Sequence, residues 1–96
     1  CHSSDGQGFK NMYPPLAQSD YLTKKSEQLS CIIYYGIEDS ILVNGKWYNQ
    51  RMLGLPNLKI HEVRDIVNYI SLAWENTAPT YTIKQTQKQL SDCKSD

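Results

Sequence analysis

Between Lys59 and Glu75 apolar residues recur at steps of three and four: Ile60, Val63, Ile66, Val67, Ile70 and Trp74. That period lays them along one face of a helix. The rest of the chain must cover that face, and it has little to do it with. A chain of 96 residues buries only about two-thirds of the surface its unfolded form exposes, so its core is marginal without help.

The remaining elements read as short. A helix is expected at Ser19 to Leu22 with Ser19 as its cap. A firmer one runs from about Lys25 to Tyr35, where Leu29, Ile32 and Ile33 share a face and Gly36 supplies a left-handed stop. Ile41 to Tyr48 places β-prone arms around Asn44-Gly45, the preferred pair for a two-residue hairpin turn. A loop carrying Met52, Gly54 and Pro56 follows. Asn76 to Pro79 ends the long helix, and a last short one starts at Thr82, where Thr82 and Gln85 have capping-box spacing. Residues after Leu90 read as frayed. Small helical folds with this much loop rarely close a core unaided; a large apolar object at the centre would explain the loops.

Ten basic and ten acidic residues cancel. Nucleic-acid binding needs a clustered basic excess, which is absent here. The longest uncharged stretches fall far short of the roughly 20 apolar residues that span a bilayer. Three cysteines are present, and an odd number fits a closed disulfide framework poorly. Cys31, in the run Cys31-Ile32-Ile33-Tyr34-Tyr35, reads as a small buried hydrophobe. Cys93 lies in a polar tail and reads as free.

Cys1-His2 carries the chemistry. A cysteine followed directly by histidine is the last part of the C-x-x-C-H haem-attachment run, in which the thiol bonds to the porphyrin edge and the imidazole can ligate the iron. Gly6 and Gly8 allow tight turning near a bulky group, and Tyr13-Pro14-Pro15 must be extended or turned. A lone Cys-His pair is weak, since short motifs match by chance. The downstream series is stronger.

Cys1-His2-x-x-Asp5-Gly6-x-Gly8, then Tyr13-Pro14-Pro15-Leu16-Ala17 and Ser19-Asp20-Tyr21-Leu22, resembles a bacterial class I monohaem cytochrome c of the His/Met type. The match continues through Gly36, then Ile41-x-Val43-Asn44-Gly45-x-x-Tyr48-Asn49-x-x-Met52, and Glu62-Val63-x-x-Ile66-Val67-Asn68-Tyr69-Ile70. It covers nearly the whole chain in order. The resemblance implies an all-α fold, a small cytochrome c-like domain over residues 1–90 wrapped around haem with one short β-hairpin, and a flexible tail at 91–96.

It also implies haem c as cofactor, with Cys1 as the thioether, His2 as the proximal iron ligand and Met52 as the distal one. A thioether is soft and uncharged, so it favours reduced iron. The carbonyl of Pro14 would accept the His2 ring N–H, which makes the imidazole a stronger donor. Leu16, Trp47 and Tyr48 would wall the pocket, the last two within reach of a propionate through N–H or O–H, and Arg51 would neutralise a propionate. Met12 is expected to fill a core gap and His61 to face solvent. Gln18 stands where the family often has glycine, and Leu53 where a proline often follows the methionine. The family carries a first motif cysteine and a helix upstream of the attachment run. The chain therefore reads as a fragment, with Ile66, Tyr69 and Ile70 under-covered.

With both axial positions filled by protein, the implied function is single-electron transfer rather than catalysis. The expected partner is an oxidase, reductase or dehydrogenase, with this chain either a free carrier or a domain of a larger redox protein. The implied location is extracytoplasmic, in the periplasm or tethered at its membrane face. A second reading makes Cys1 the acylation site of a lipid-anchored, non-redox extracytoplasmic binding domain. A third is an enzyme subunit in which Met52 dissociates to open the iron, giving peroxidase-like turnover.

Overall fold

The computed structural model describes residues 2–10 and 12–93. In chain order the elements are α1 (Asp20–Lys24), a 3₁₀ turn (Ser26–Gln28), α2 (Leu29–Tyr35), β1 (Gly36–Ile37), β2 (Ile41–Val43) and β3 (Lys46–Tyr48). They continue with β4 (Met52–Leu53), α3 (Ile60–Leu72), a second 3₁₀ turn (Ala73–Glu75) and α4 (Ile83–Ser91).

Most of these elements form for local reasons. α2 stops at Gly36, whose φ of 81° few other residues would tolerate. The β2–β3 hairpin turns on Asn44 and Gly45, both left-handed at φ 51° and 79°, the requirement of a two-residue turn that matches strand twist. α4 opens with a reciprocal cap: Gln85 N–H donates to Thr82 Oγ1 at 3.1 Å, and Thr82 N–H to Gln85 Oε1 at 2.9 Å. At the start of α3 the Glu62 carboxylate accepts the Lys59 N–H at 2.8 Å. Ser19 precedes α1, but its side chain makes no capping bond.

Three features depart from the sequence reading. The fold is not strictly all-α, because a second two-stranded sheet joins β1 to β4, pairing Gly36 with Leu53 and Ile37 with Met52. Gly36 makes this possible: a Cβ there would run into the Met52 carbonyl. Second, α3 ends at Leu72, and Trp74 is not the last member of its stripe; Trp74 and Glu75 turn left-handed at φ 53° and 65°. Third, Cys31 and Cys93 are neither buried hydrophobe nor free thiol. They form a disulfide across 62 residues with a Cα–Cα distance of 5.8 Å. The odd cysteine total concealed this pair, because it argued against any closed set of disulfides. Residues 94–96 of the expected tail lie outside the described residues.

The core is small. Leu22, Leu29, Ile33, Val63 and Val67 form it, flanked by Leu16, Tyr34, Leu58, Ile70 and Tyr81. Where α2, α3 and α4 pack together, Ser30, Ser71 and Thr86 are fully buried. Their hydroxyls are all satisfied, donating to Gln89 Oε1 at 2.9 Å, Val67 O at 2.7 Å and Thr82 O at 2.9 Å. Small side chains there let the helices approach closely. Beyond the crossing α3 is poorly covered at Ile66, 36% exposed, and Tyr69, 63% exposed, but Ile70, expected to share that exposure, is partly buried against the core cluster. Met12 does the reverse of what was expected, standing 43% exposed in the turn closed by the Phe9–Tyr13 bridge.

Candidate functional site

The segment from His2 to Ala17 is a wound loop held by its own backbone. Gly8 N–H donates to His2 O at 2.8 Å, and Gly6 O accepts from Leu16 N–H at 2.6 Å and Ala17 N–H at 2.7 Å. The chain passes so close to itself that a Cβ on Gly8 would strike the Tyr13 carbonyl and Pro14. That approach delivers the Pro14 carbonyl to the histidine. His2 Nδ1 lies 2.8 Å from Pro14 O. A carbonyl oxygen only accepts, so Nδ1 carries a proton, and in the neutral ring Nε2 keeps its lone pair. The half-buried imidazole is therefore oriented and left with one free donor nitrogen, as a metal-ligating histidine requires.

The loop is also fastened from a distance, by residues the sequence reading did not single out for this. Trp74, flipped out of the helix by its left-handed backbone, lies over Gly6 so closely that a Cβ there would sit 2.6 Å from the indole. Its Nε1–H donates to Ser4 O at 3.3 Å, and its ring meets Tyr69 edge-on at 5.8 Å. Asn76 donates through Nδ2 to Leu16 O at 2.9 Å and Ile70 O at 2.8 Å, while its Oδ1 accepts the Gln18 N–H. Gln18 itself is left-handed at φ 53°, the conformation for which glycine is the easier residue. No local pattern marks Asn76, since its partners in the loop, Leu16 and Gln18, lie about sixty positions away.

Met52 sits on β4, half-buried and opposite Ile37. Its strand is tied to α2 by the pairing at Gly36 and by a bond from Leu55 N–H to Ile33 O at 2.9 Å. Leu16 is partly buried against the core cluster. Trp47 and Tyr48 part company: Tyr48 is buried at 7% exposure and Trp47 is 66% exposed. Consecutive strand residues point to opposite faces, so the two rings cannot line one wall. Trp47 pairs across the hairpin with Leu42, 45% exposed. Arg51 and His61 are exposed. Cys1 lies outside the described residues. The hairpin is fixed to α1 by a reciprocal pair, Asp20 N–H to Asn44 Oδ1 at 2.8 Å and Asn44 N–H to Asp20 Oδ1 at 2.7 Å.

The residues present fit a haem. His2 presents an oriented imidazole, and Phe9, Leu42, Trp47, Leu53 and Leu55 expose apolar surface of the kind a porphyrin would cover. A small helical fold with such a histidine loop is consistent with the class the sequence resembles, the c-type cytochromes.

Comparison with known proteins agrees. No protein-family model matches the chain. The chain is 36% identical over 78 residues to cytochrome c-552 of Thermus thermophilus, covering 77% of this chain and 60% of that protein. It is 33% identical over 93 residues to the cytochrome c subunit of the quinone alcohol dehydrogenase of Gluconobacter oxydans, covering 92% of this chain but 19% of that protein. The corresponding subunit from Gluconacetobacter polyoxogenes is 31% identical over 84 residues. The chain thus spans 60% of the Thermus protein's length and under a fifth of the dehydrogenase subunits. It belongs to the cytochromes c, and haem c with its iron is the cofactor of that type. Among the described residues no helix is long and apolar enough to cross a membrane.

Proposed function

We propose that the chain carries single electrons through a covalently held haem, as a free carrier or as one domain of a larger redox protein. His2 Nε2 and the Met52 sulfur would hold the iron, and the Cys1 thiol would tether the porphyrin. Pro14 fixes the imidazole tautomer. Leu16 and Tyr48 supply apolar wall on the protein side, and Trp47 and Arg51 remain candidates for the propionate edge. When bound, the haem supplies a one-electron couple at its iron. The chain's part is to orient the imidazole and to offer a soft, neutral thioether, which raises the potential relative to a second histidine.

One observation carries this reading: the His2 Nδ1–Pro14 O bond at 2.8 Å, which leaves Nε2 as the free donor at the attachment run. The partner class is a dehydrogenase, oxidase or reductase, a reading supported by the likeness to dehydrogenase subunits. An extracytoplasmic location is supported by the Cys31–Cys93 disulfide, since such bonds persist in oxidising compartments. The similarity to cytochromes c disfavours the lipid-anchored, non-redox alternative.

Two measurements test the reading. Intact mass under denaturing conditions should show a porphyrin still attached. Met52→Ala should abolish the weak sulfur-to-iron charge-transfer band and lower the reduction potential. A variant that keeps both would remove Met52 from the ligand set.

A further inference from the structure

The turn Trp74-Glu75-Asn76 is strained and yet fully engaged. Neither Trp74 nor Glu75 is glycine, and both are left-handed, at φ 53° and 65°. Each such residue is strained and persists only where its surroundings over-determine it. The surroundings here are the two ends of the histidine loop. Trp74 presses on Gly6 and bonds Ser4 O. Asn76 holds Leu16 O and the Gln18 N–H, and with the same amide grips Ile70 O at the end of α3. Between those two anchor points lie Gly8, which bonds His2 O, and Pro14, which accepts from His2 Nδ1.

We infer that Trp74 and Asn76 are positioning residues for the proximal histidine: a clasp that holds the Pro14 carbonyl against Nδ1 and so governs how strongly the imidazole donates. The inference rests on His2 being an iron ligand. The mechanism is indirect. A held carbonyl keeps the Nδ1–H polarised, which raises the ligand's basicity and favours oxidised iron. Releasing the clasp lengthens that bond, weakens the donor and raises the potential. Neither residue touches the iron.

The same helix offers an internal control. Asn68 also uses its amide to fasten a distant segment, donating to Tyr81 O at 2.9 Å and accepting from Tyr81 N–H at 2.8 Å. It stabilises the approach to α4 and not the histidine loop. Asn76→Ala and Asn68→Ala should therefore both lower the melting temperature of the holoprotein. Only Asn76→Ala should speed solvent exchange of the His2 Nδ1–H, followed by proton NMR of the reduced form. The expected increase is about tenfold, the equivalent of one lost hydrogen bond. Its potential should shift upward, while that of Asn68→Ala stays put.

Trp74→Phe keeps an aromatic ring but deletes the Nε1–H and part of the ring surface over Gly6. It should give a smaller change in the same direction, and it serves if Asn76→Ala fails to fold. Equal effects from the Asn68 and Asn76 variants, or unchanged exchange and potential in Asn76→Ala or Trp74→Phe, would overturn the clasp. His2→Ala separates that failure from failure of the reading beneath it. If His2→Ala leaves the haem spectrum of the holoprotein unaltered, His2 is not a ligand and both ideas fall.

Discussion

His2 and Pro14 stand twelve positions apart, and their contact was legible because both belong to an ordered series of short motifs. Gly8 explains why the contact forms: it alone lets the backbone pass under Tyr13 and Pro14. Trp74 and Asn76 were not legible in their roles, since no local pattern distinguishes a tryptophan ending a stripe from one that flips back over a loop. Asp20 and Asn44 are similar, joined 24 positions apart by reciprocal bonds. The Asn44 backbone N–H is the main reason the Asp20 carboxyl titrates below its ordinary 3.8. A group whose folded value is depressed stabilises the fold above its unfolded value and loses that contribution as pH falls through the folded one. Asp20 should thus support the hairpin at neutral pH and release it in acid, below pH 3.8. Thermal unfolding followed from pH 6 down to the acid limit should show a shallower decline for Asp20→Ala than for the parent. Parallel curves would mean that the pair does not contribute through its charge.

At the scale of elements, periodicity and capping located the helices, and Asn44-Gly45 located the hairpin. What escaped were links between elements distant in sequence. The β1–β4 pairing joins two-residue strands too short to show alternation, and the disulfide joins two cysteines whose surroundings gave no hint of each other. That bond closes 62 residues, and in a chain-entropy account such a loop is worth about 4 kcal/mol to the folded state. Cys31→Ser with Cys93→Ser should lower the unfolding free energy by up to this amount. The loss should appear first as faster amide exchange in α4, which packs on α2 and α3 through small hydroxyl residues. An unchanged denaturation midpoint would show that packing alone holds α4.

For the molecule as a whole, the short core was foreseeable from chain length and the fold class from the motif series. The family's all-α label needed amending only by a second scrap of sheet. Five residues form the central cluster, while side chains as large as Trp47, Leu53 and Phe9 are at least half exposed. Haem would bury apolar surface that the polypeptide does not. Stripped of it, the protein should melt at lower temperature and bind a hydrophobic dye, whereas the holoprotein should bind little; equal dye binding would assign those side chains to some other cover. The disulfide also imposes a timetable on biosynthesis. Cys93 follows Cys31 by 62 residues, so a chain made from its N-terminal side exposes Cys31 well before its proper mate arrives. During that interval the Cys31 thiol stays open to other sulfurs, and a mispairing there would forfeit the staple.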